Sequence, residues 1–262
     1  MLLALNINNT VTAAGVFEGQ KLLATWRIST DVHRLADEYA MVLLNLLHTS
    51  EIDPGAVRHC SIASVVPPLT TVFEDLARRY FNVDPLIVSS GIRTGMRIIY
   101  DNPREVGADR VVGSVAALRQ YGPPPIIVVD MGTATVLDAI NEAGDYVGGA
   151  ISAGLSIASD ALFERASKLY RVELEPPRAA IGRNTGDAMR SGLVLGAVAM
   201  IEGMVARFKA ELGGQATVVA TGGWSEMIAK QTDVFDHVDR HLTLVGLRIL
   251  YEMNRTPAPA EG

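Results

Sequence analysis

Three glycine-punctuated segments carry polar groups suited to chemistry. Asp130-Met131-Gly132-Thr133-Ala134-Thr135 follows an apolar strand. A turn of this kind aims backbone N–H groups and a hydroxyl at phosphate oxygens. Its glycine admits close approach, and its carboxylate orients a cation or the cation's water. Thr221-Gly222-Gly223 stands at a strand-to-helix turn, where glycines can meet a purine face or a phosphate near a positive helix end. Gly148-Gly149 and Gly154 flank a strand end and could line the same cleft. Taken singly, each pattern is equally served by an ordinary tight turn or a routine helix start.

A fourth segment, Tyr100 to Arg110, gathers an aromatic ring, carboxylates, two arginines and a glycine around a helix start. Asp109 beside Arg110 offers a proton acceptor next to a cation able to hold an anionic substrate group. The competing local reading has Asp109 stabilising the helix N-terminus and Arg110 facing solvent. Arg183-Asn184-Thr185 leads into a long helix, where capping is its simplest role. Other chemistries lack their residues. There is no Gly-Lys pair for a P-loop and no Gly-x-Gly-x-x-Gly dinucleotide turn. His237 and His241 are four apart without the glutamate of a zinc-protease pattern, so they read as a solvated surface pair. Gly154-Leu155-Ser156-Ile157-Ala158 lacks the second glycine of a nucleophile elbow.

Strands and helices must position these groups. Period-2 and short apolar runs predict strands over Leu2–Ile7, Thr12–Phe17, Lys21–Thr30, Cys60–Val66 and Pro85–Ser89. Helices are predicted over Ala36–Thr49, Leu69–Phe81 and Val106–Gln120. Pro123-Pro124-Pro125 is the clearest boundary, because three prolines neither continue a helix nor donate to a sheet. Beyond it the opening pattern recurs, with strands over Ile126–Asp130, Ala134–Ile140 and Tyr146–Ile151. Helices over Leu155–Leu169, Asp187–Leu212, Ser225–Gln231 and Leu242–Asn254, and a strand over Thr217–Ala220, complete the second half. The two strand–turn–strand–strand units lie about 120 residues apart, which suggests two related lobes presenting two hairpin turns to one ligand. Any two such meanders also look alike at this level.

Composition sets the bounds. The 262 residues carry 23 Lys+Arg against 29 Asp+Glu, a net charge of −6, with 48% hydrophobic residues. That is ordinary globular composition. An acidic balance argues against phosphate-backbone binding, so no nucleic-acid partner is expected. Uncharged stretches such as 59–73 contain proline and fall short of a bilayer span, and no signal-peptide pattern is visible. The single cysteine, Cys60, excludes an internal disulfide and fits a reducing cytoplasm.

In conjunction the motifs resemble those of the type III pantothenate kinases, members of the acetate-and-sugar-kinase/Hsp70/actin superfamily. The resemblance runs from Met1 to about Tyr251. It rests on Asn9-Thr10, Tyr100 with Asn102-Pro103, Gly107-Ala108-Asp109-Arg110, Asp130-x-Gly-Thr-Ala-Thr, Tyr146-x-Gly-Gly-Ala-Ile, Gly182-x-Asn-Thr and Thr221-Gly-Gly. It implies an α/β fold of two duplicated ribonuclease H-like lobes, the actin-like ATPase architecture, facing across a nucleotide cleft. The lobes would span 1–120 and 121–255, with a disordered tail at 256–262. It implies transfer of the γ-phosphate of ATP to pantothenate, the first step toward coenzyme A. By resemblance, Asp109 accepts the hydroxyl proton, and Tyr100, Gly107, Ala108, Asp109, Arg110 and Thr185 bind pantothenate. Asn6, Asn9, Thr10, Gly132, Thr133, Gly222 and Gly223 would contact ATP. Asp130 would hold a monovalent cation, potassium or ammonium, beside the Mg²⁺ of the nucleotide, in a cytoplasmic homodimer with no membrane partner.

One departure marks this chain. The family's first turn reads Asp-x-Gly-Asn-Thr, and here it reads Asn6-Ile7-Asn8-Asn9-Thr10. Asn6 brings an amide oxygen but no charge. Loss of one well-placed charged contact at a transferring phosphate costs on the order of 10²–10³ in rate. The alternative this leaves is a catalytically impaired or non-catalytic binding paralogue.

Overall fold

The structure is a computed structural model and describes residues 1–255; the expected disordered tail, 256–262, lies outside the described residues. Two compact units form. The first comprises Met1–Gly95, Asn102–Ala116 and residues 243–255; the second comprises Met96–Asp101 and Ala117–Leu242.

The first unit holds a five-stranded sheet. Its strands are β1 (Leu2–Ile7), β2 (Val11–Glu18), β3 (Lys21–Ser29), β4 (His59–Ser64) and β5 (Leu86–Ile87), in the order β3-β2-β1-β4-β5. β1 runs antiparallel to β2 and parallel to β4. All six residues of β1 are buried. Its apolar run, broken only by Asn6, is therefore that of a central strand covered on both faces. Helices α1 (Ala36–Thr49) and α2 (Pro67–Phe81) pack together on this sheet. Tyr39, Leu43 and Leu47 of α1 recur at i, i+4 and i+8, and they are fully buried with Phe73 and Leu76 of α2. The rings of Tyr39 and Phe73 lie 4.6 Å apart. α2 begins two residues earlier than the sequence pattern predicts: Pro67-Pro68 occupy its first turn, where a missing N–H costs nothing. α3 (Ala108–Tyr121) starts at the unit's tetrad, and α8 (Leu242–Asn254) crosses it closely, with Gly246 against Val112.

The second unit repeats the topology. Strands β6 (Ile126–Met131), β7 (Ala134–Ile140), β8 (Tyr146–Ala153), β9 (Thr217–Thr221) and β10 (His237–Val238) order as β10-β9-β6-β7-β8. β6 runs antiparallel to β7 and parallel to β9, as β1 does to β2 and β4. Even the irregularity of the second strand recurs, at Val16/Phe17 in β2 and Ala139/Ile140 in β7. Duplication is thus a property of the hydrogen-bonded register, not only of the hydrophobic pattern. Helix α4 (Leu155–Arg165) ends four residues before the reading placed it. α5 (Thr185–Arg190) runs through a π-turn at Ser191–Leu195 into α6 (Gly196–Glu211), and α7 (Ser225–Ala229) follows β9.

Three further differences from the sequence reading have physical causes. β10 was not expected. It is two residues long, and its His237 is exposed and stacked on Tyr121 at 4.5 Å, so neither length nor apolarity signalled it. The C-terminal helix α8, expected in the second lobe, packs in the first unit, where Leu244 meets Gly15 of β2. The units part at Ala116/Ala117 inside α3, upstream of the proline run. Among the described residues one helix, Thr185–Glu211, is long and apolar enough to cross a membrane by length and composition. The apolarity serves the core, since Leu193, Val194, Val198, Ile201 and Val205 pack with Ile127 and Val129 of β6.

Candidate active site

In each unit the turn after the central strand, β1 or β6, stands at the carboxyl end of that strand and of its parallel neighbour, the usual binding end of an open α/β sheet. Asn6 is the fifth residue of β1 and Asp130 the fifth of β6, so the two are positional equivalents. Asn6 pairs across to Ala13 and Ala63; Asp130 pairs across to Val136 and Thr221. The turns that follow differ. Residues 8–11 lie between the pair Ile7/Thr12, whereas only 132–134 lie between Met131/Thr135. The first turn is one residue longer.

The second unit's turn is closed over glycines. Gly222 adopts φ +94, and a Cβ there would stand 2.6 Å from the carbonyl oxygen of Met131, besides striking Asp130 Oδ1. Only glycine permits β9 to deliver its turn against Asp130 in this way. The Trp224 N–H donates to Met131 O at 3.1 Å, and Ser225 Oγ donates to Gly222 O at 2.7 Å, fixing the turn. Gly154 N–H donates to Thr133 O at 3.1 Å, which places the start of α4 beside the same turn. Gly132 is half-buried, while Thr133 and Gly223 are exposed. Asp130, Gly132, Thr133, Gly222 and Gly223 are therefore brought together.

The first unit's turn presents Asn6, Asn8, Asn9 and Thr10. Asn9 and Thr10 are exposed; Asn6 is buried at 3% exposure. The side-chain oxygens of Asn6 and Asn8 are both buried and accept no hydrogen bond from the protein. Two hard neutral oxygens so placed, one near the end of β1 and one in the turn that follows it, suit a cation or its water shell. Among the described residues no group of three His, Cys, Asp or Glu forms a metal cage.

Gly107-Ala108-Asp109-Arg110 sits alongside. Val65 N–H donates to Ile7 O at 3.0 Å at the end of β1, and Val65 Cγ1 lies 3.5 Å from where a Cβ of Gly107 would be. The same Cβ would stand 2.6 Å from Asp109 Oδ1, so the glycine lets the carboxylate fold back over the helix start. Asp109 Oδ1 accepts from Arg110 N–H at 2.8 Å. Burial holds the Asp109 carboxyl above the usual carboxylate range, against the smaller opposing pull of the Arg110 N–H and guanidinium. A half-buried carboxylate with raised basicity is equipped to take a proton from a hydroxyl.

Tyr100 and Thr185 belong to the second unit. Tyr100 lies half-buried against Tyr146, ring centroids 6.4 Å apart. Thr185 is exposed in the first turn of α5; the neighbouring Asn184 caps that helix by accepting from Asp187 N–H at 2.9 Å, the simple role read from sequence. Asn102 likewise accepts from Arg104 N–H at 3.3 Å and starts the turn at Pro103–Glu105. Sequence reasoning missed Val65 and the buried Asp138, which accepts from the Tyr146 hydroxyl at 2.7 Å and whose only signal was a lone acid inside an apolar strand.

Comparison with known proteins agrees with this architecture. Residues 2–207 match the family model described as type III pantothenate kinase. The chain is 50% identical over 256 residues to the type III pantothenate kinase of Roseiflexus sp. (strain RS-1), covering 98% of this chain and 100% of that one. It is 48% identical over 254 residues to that of Dehalococcoides mccartyi (strain CBDB1), covering 97% and 96%. Among solved structures, a Baf family protein of Campylobacter jejuni superposes with TM-score 0.62 at 17% identity, covering 96% of this chain and 98% of that one. An activator of 2-hydroxyisocaproyl-CoA dehydratase from Clostridium difficile, solved with bound ADPNP, superposes with TM-score 0.50 at 12% identity, covering 96% and 95%. The structural likenesses speak for the fold, an actin-like ATPase architecture, and the sequence relatives for more: the chain belongs to the type III pantothenate kinase family.

Proposed function

We propose that this protein phosphorylates pantothenate with ATP, giving 4'-phosphopantothenate and ADP at the start of coenzyme A biosynthesis. The observation that carries the reading is the Asp109 carboxylate, raised in basicity by burial and bonded to Arg110 N–H at the end of the central parallel strands. Asp109 accepts the proton of the primary hydroxyl as its oxygen attacks the γ-phosphorus, and the bond to the β-phosphate oxygen breaks. Arg110 holds the pantothenate carboxylate, and Gly107, Ala108, Tyr100 and Thr185 complete its pocket. Asn6, Asn9 and Thr10 in the first turn, with Gly132, Thr133, Gly222 and Gly223 in the second unit, bind ATP. Mg²⁺ entering on the nucleotide offsets charge on the phosphate oxygens, and Asp130 holds a monovalent cation, potassium or ammonium. Phosphoryl transfer asks mainly for positioning and charge neutralisation, which suits a site built from turns and one base. Nothing in the tetrad or the Asp130 turn favours a non-catalytic paralogue.

A homodimer in the cytoplasm is part of this reading. It is supported by apolar side chains left exposed on the second unit: Ile151 at 66%, Phe163 at 41%, Tyr170 at 53% and Ile181 at 84%. ADP release with pantothenate, ATP, Mg²⁺ and potassium tests the activity. Folded protein that turns over no pantothenate at high ATP overturns the reading. Sedimentation as a monomer overturns the dimer.

A further inference from the structure

Residues Met96–Asp101 leave the first unit's chain and pack in the second, although the residues on either side of them belong to the first. Three kinds of contact hold them along the start of β8. Tyr146 N–H donates to Arg97 O at 2.9 Å and Ile99 N–H donates to Tyr146 O at 2.8 Å, an isolated parallel bridge at Ile98. The Arg97 guanidinium grips Asp145 with two bonds, Nε to Oδ1 at 2.9 Å and Nη2 to Oδ2 at 2.6 Å. The Tyr100 ring lies on Tyr146 and passes within 3.5 Å of the place a Cβ of Gly148 would take.

Tyr146 is itself pinned. Its side chain is fully buried and its hydroxyl donates to the buried carboxylate of Asp138 at 2.7 Å. Asp145 is 93% covered at its side chain while Arg97 remains 77% exposed, so the fork closes over a desolvated carboxylate. A planar, two-bond grip of this type fixes orientation as well as distance. Tyr100 sits three residues along from Arg97 and has no helix or long strand of its own to hold it.

We infer that Arg97, Asp145, Tyr146 and Asp138 are positioning residues that fix Tyr100 for binding the pantothenate side of the reaction. The inference rests on the reading of Tyr100 as a pantothenate contact. The strap concerns only that aromatic ring, so loosening it raises KM for pantothenate and leaves kcat at saturation and KM for ATP near their original values.

The test uses the full-length protein and the variants Arg97→Ala, Tyr146→Phe, Tyr100→Ala and the exchange Arg97→Asp with Asp145→Arg. Arg97→Ala, at an exposed position, is expected to raise KM for pantothenate about threefold to tenfold, since one charge-assisted pair is lost. The exchanged pair is expected to recover part of that loss. Hydrogen exchange at the Ile99 amide should quicken in Arg97→Ala and Tyr146→Phe, which reads detachment of the strap independently of activity. Unchanged Ile99 exchange in both variants overturns the anchoring. Quickened exchange with unchanged KM, while Tyr100→Ala raises KM, overturns the positioning role and leaves Tyr100 a pantothenate contact. An unchanged KM in Tyr100→Ala overturns that reading, and the positioning role with it.

Discussion

Replacing Asp109 by asparagine isolates the base. The side chain keeps its shape and an oxygen for the Arg110 N–H, 2.8 Å from Oδ1 in the native site. What it loses is the ability to take a proton. General-base catalysis contributes about 10²–10⁴ in rate, which is about 2.7–5.4 kcal/mol at roughly 1.36 kcal/mol per tenfold. kcat should fall by that factor while KM for ATP holds. The fold should not weaken. Burial dominates the surroundings of Asp109 and raises its pKa above the ordinary carboxylate value. The native state therefore binds this proton more tightly than the unfolded chain does. Ionising Asp109 thus costs native stability, and the cost grows as pH rises from the unfolded value through the raised native one. Asparagine carries no such cost, so Asp109→Asn should melt at or above the parent temperature at neutral pH, with the difference closing in acid. The same shift puts the acid limb of kcat/KM above the usual carboxylate range, and that limb should vanish from the variant's residual activity. Coupled ADP release and calorimetric melting measure both. Parent-like turnover in folded Asp109→Asn refutes the base assignment; loss of activity together with loss of melting temperature shows that Asp109 holds the helix start instead.

Other expectations follow from neighbouring residues. Asn6→Asp returns a carboxylate to the position equivalent to Asp130. It should raise kcat/KM for Mg²⁺–ATP by up to about 10²–10³, while lowering the melting temperature without nucleotide because the new charge is buried at a site where no protein donor meets the Asn6 oxygen; an unchanged rate removes charge from the account of this turn. Gly222→Ala forces a side chain into φ +94 against Met131, and denaturant titration should show a loss of at least about 1 kcal/mol together with weakened ATP binding. A variant as stable as the parent contradicts that packing. Cys60 is buried and its thiol is pushed up to about 12, so it should resist a disulfide reagent at pH 8 until the chain unfolds; rapid labelling of native protein argues against its enclosure.

Much of the frame was legible because it depends on local patterns. The central strands β1 and β6 announced themselves as apolar runs, and α1 as a stripe whose spacing matches the helical repeat. Gly-Ala-Asp-Arg and Asp-x-Gly-Thr were recognisable because each is a short contiguous motif of restricted residue types. The start of α2 was misjudged because proline stops a strand and opens a helix equally well, and only the following packing decides which. β10 escaped because a two-residue edge strand owes its existence to the neighbouring β9 rather than to its own residues.

By itself the sequence determined that this protein is a duplicated α/β chain with a family-specific set of phosphate and hydroxyl chemistry, since residue type and short-range spacing carry both. Tertiary structure alone decided which segments share a unit. It gathered 102–116 and the C-terminal helix into the first and 96–101 into the second. It also decided the basicity of Asp109, the burial of the Asn6 oxygen and the fork from Arg97 to Asp145. Desolvation and register are set by residues far away in the chain, and no local pattern encodes them.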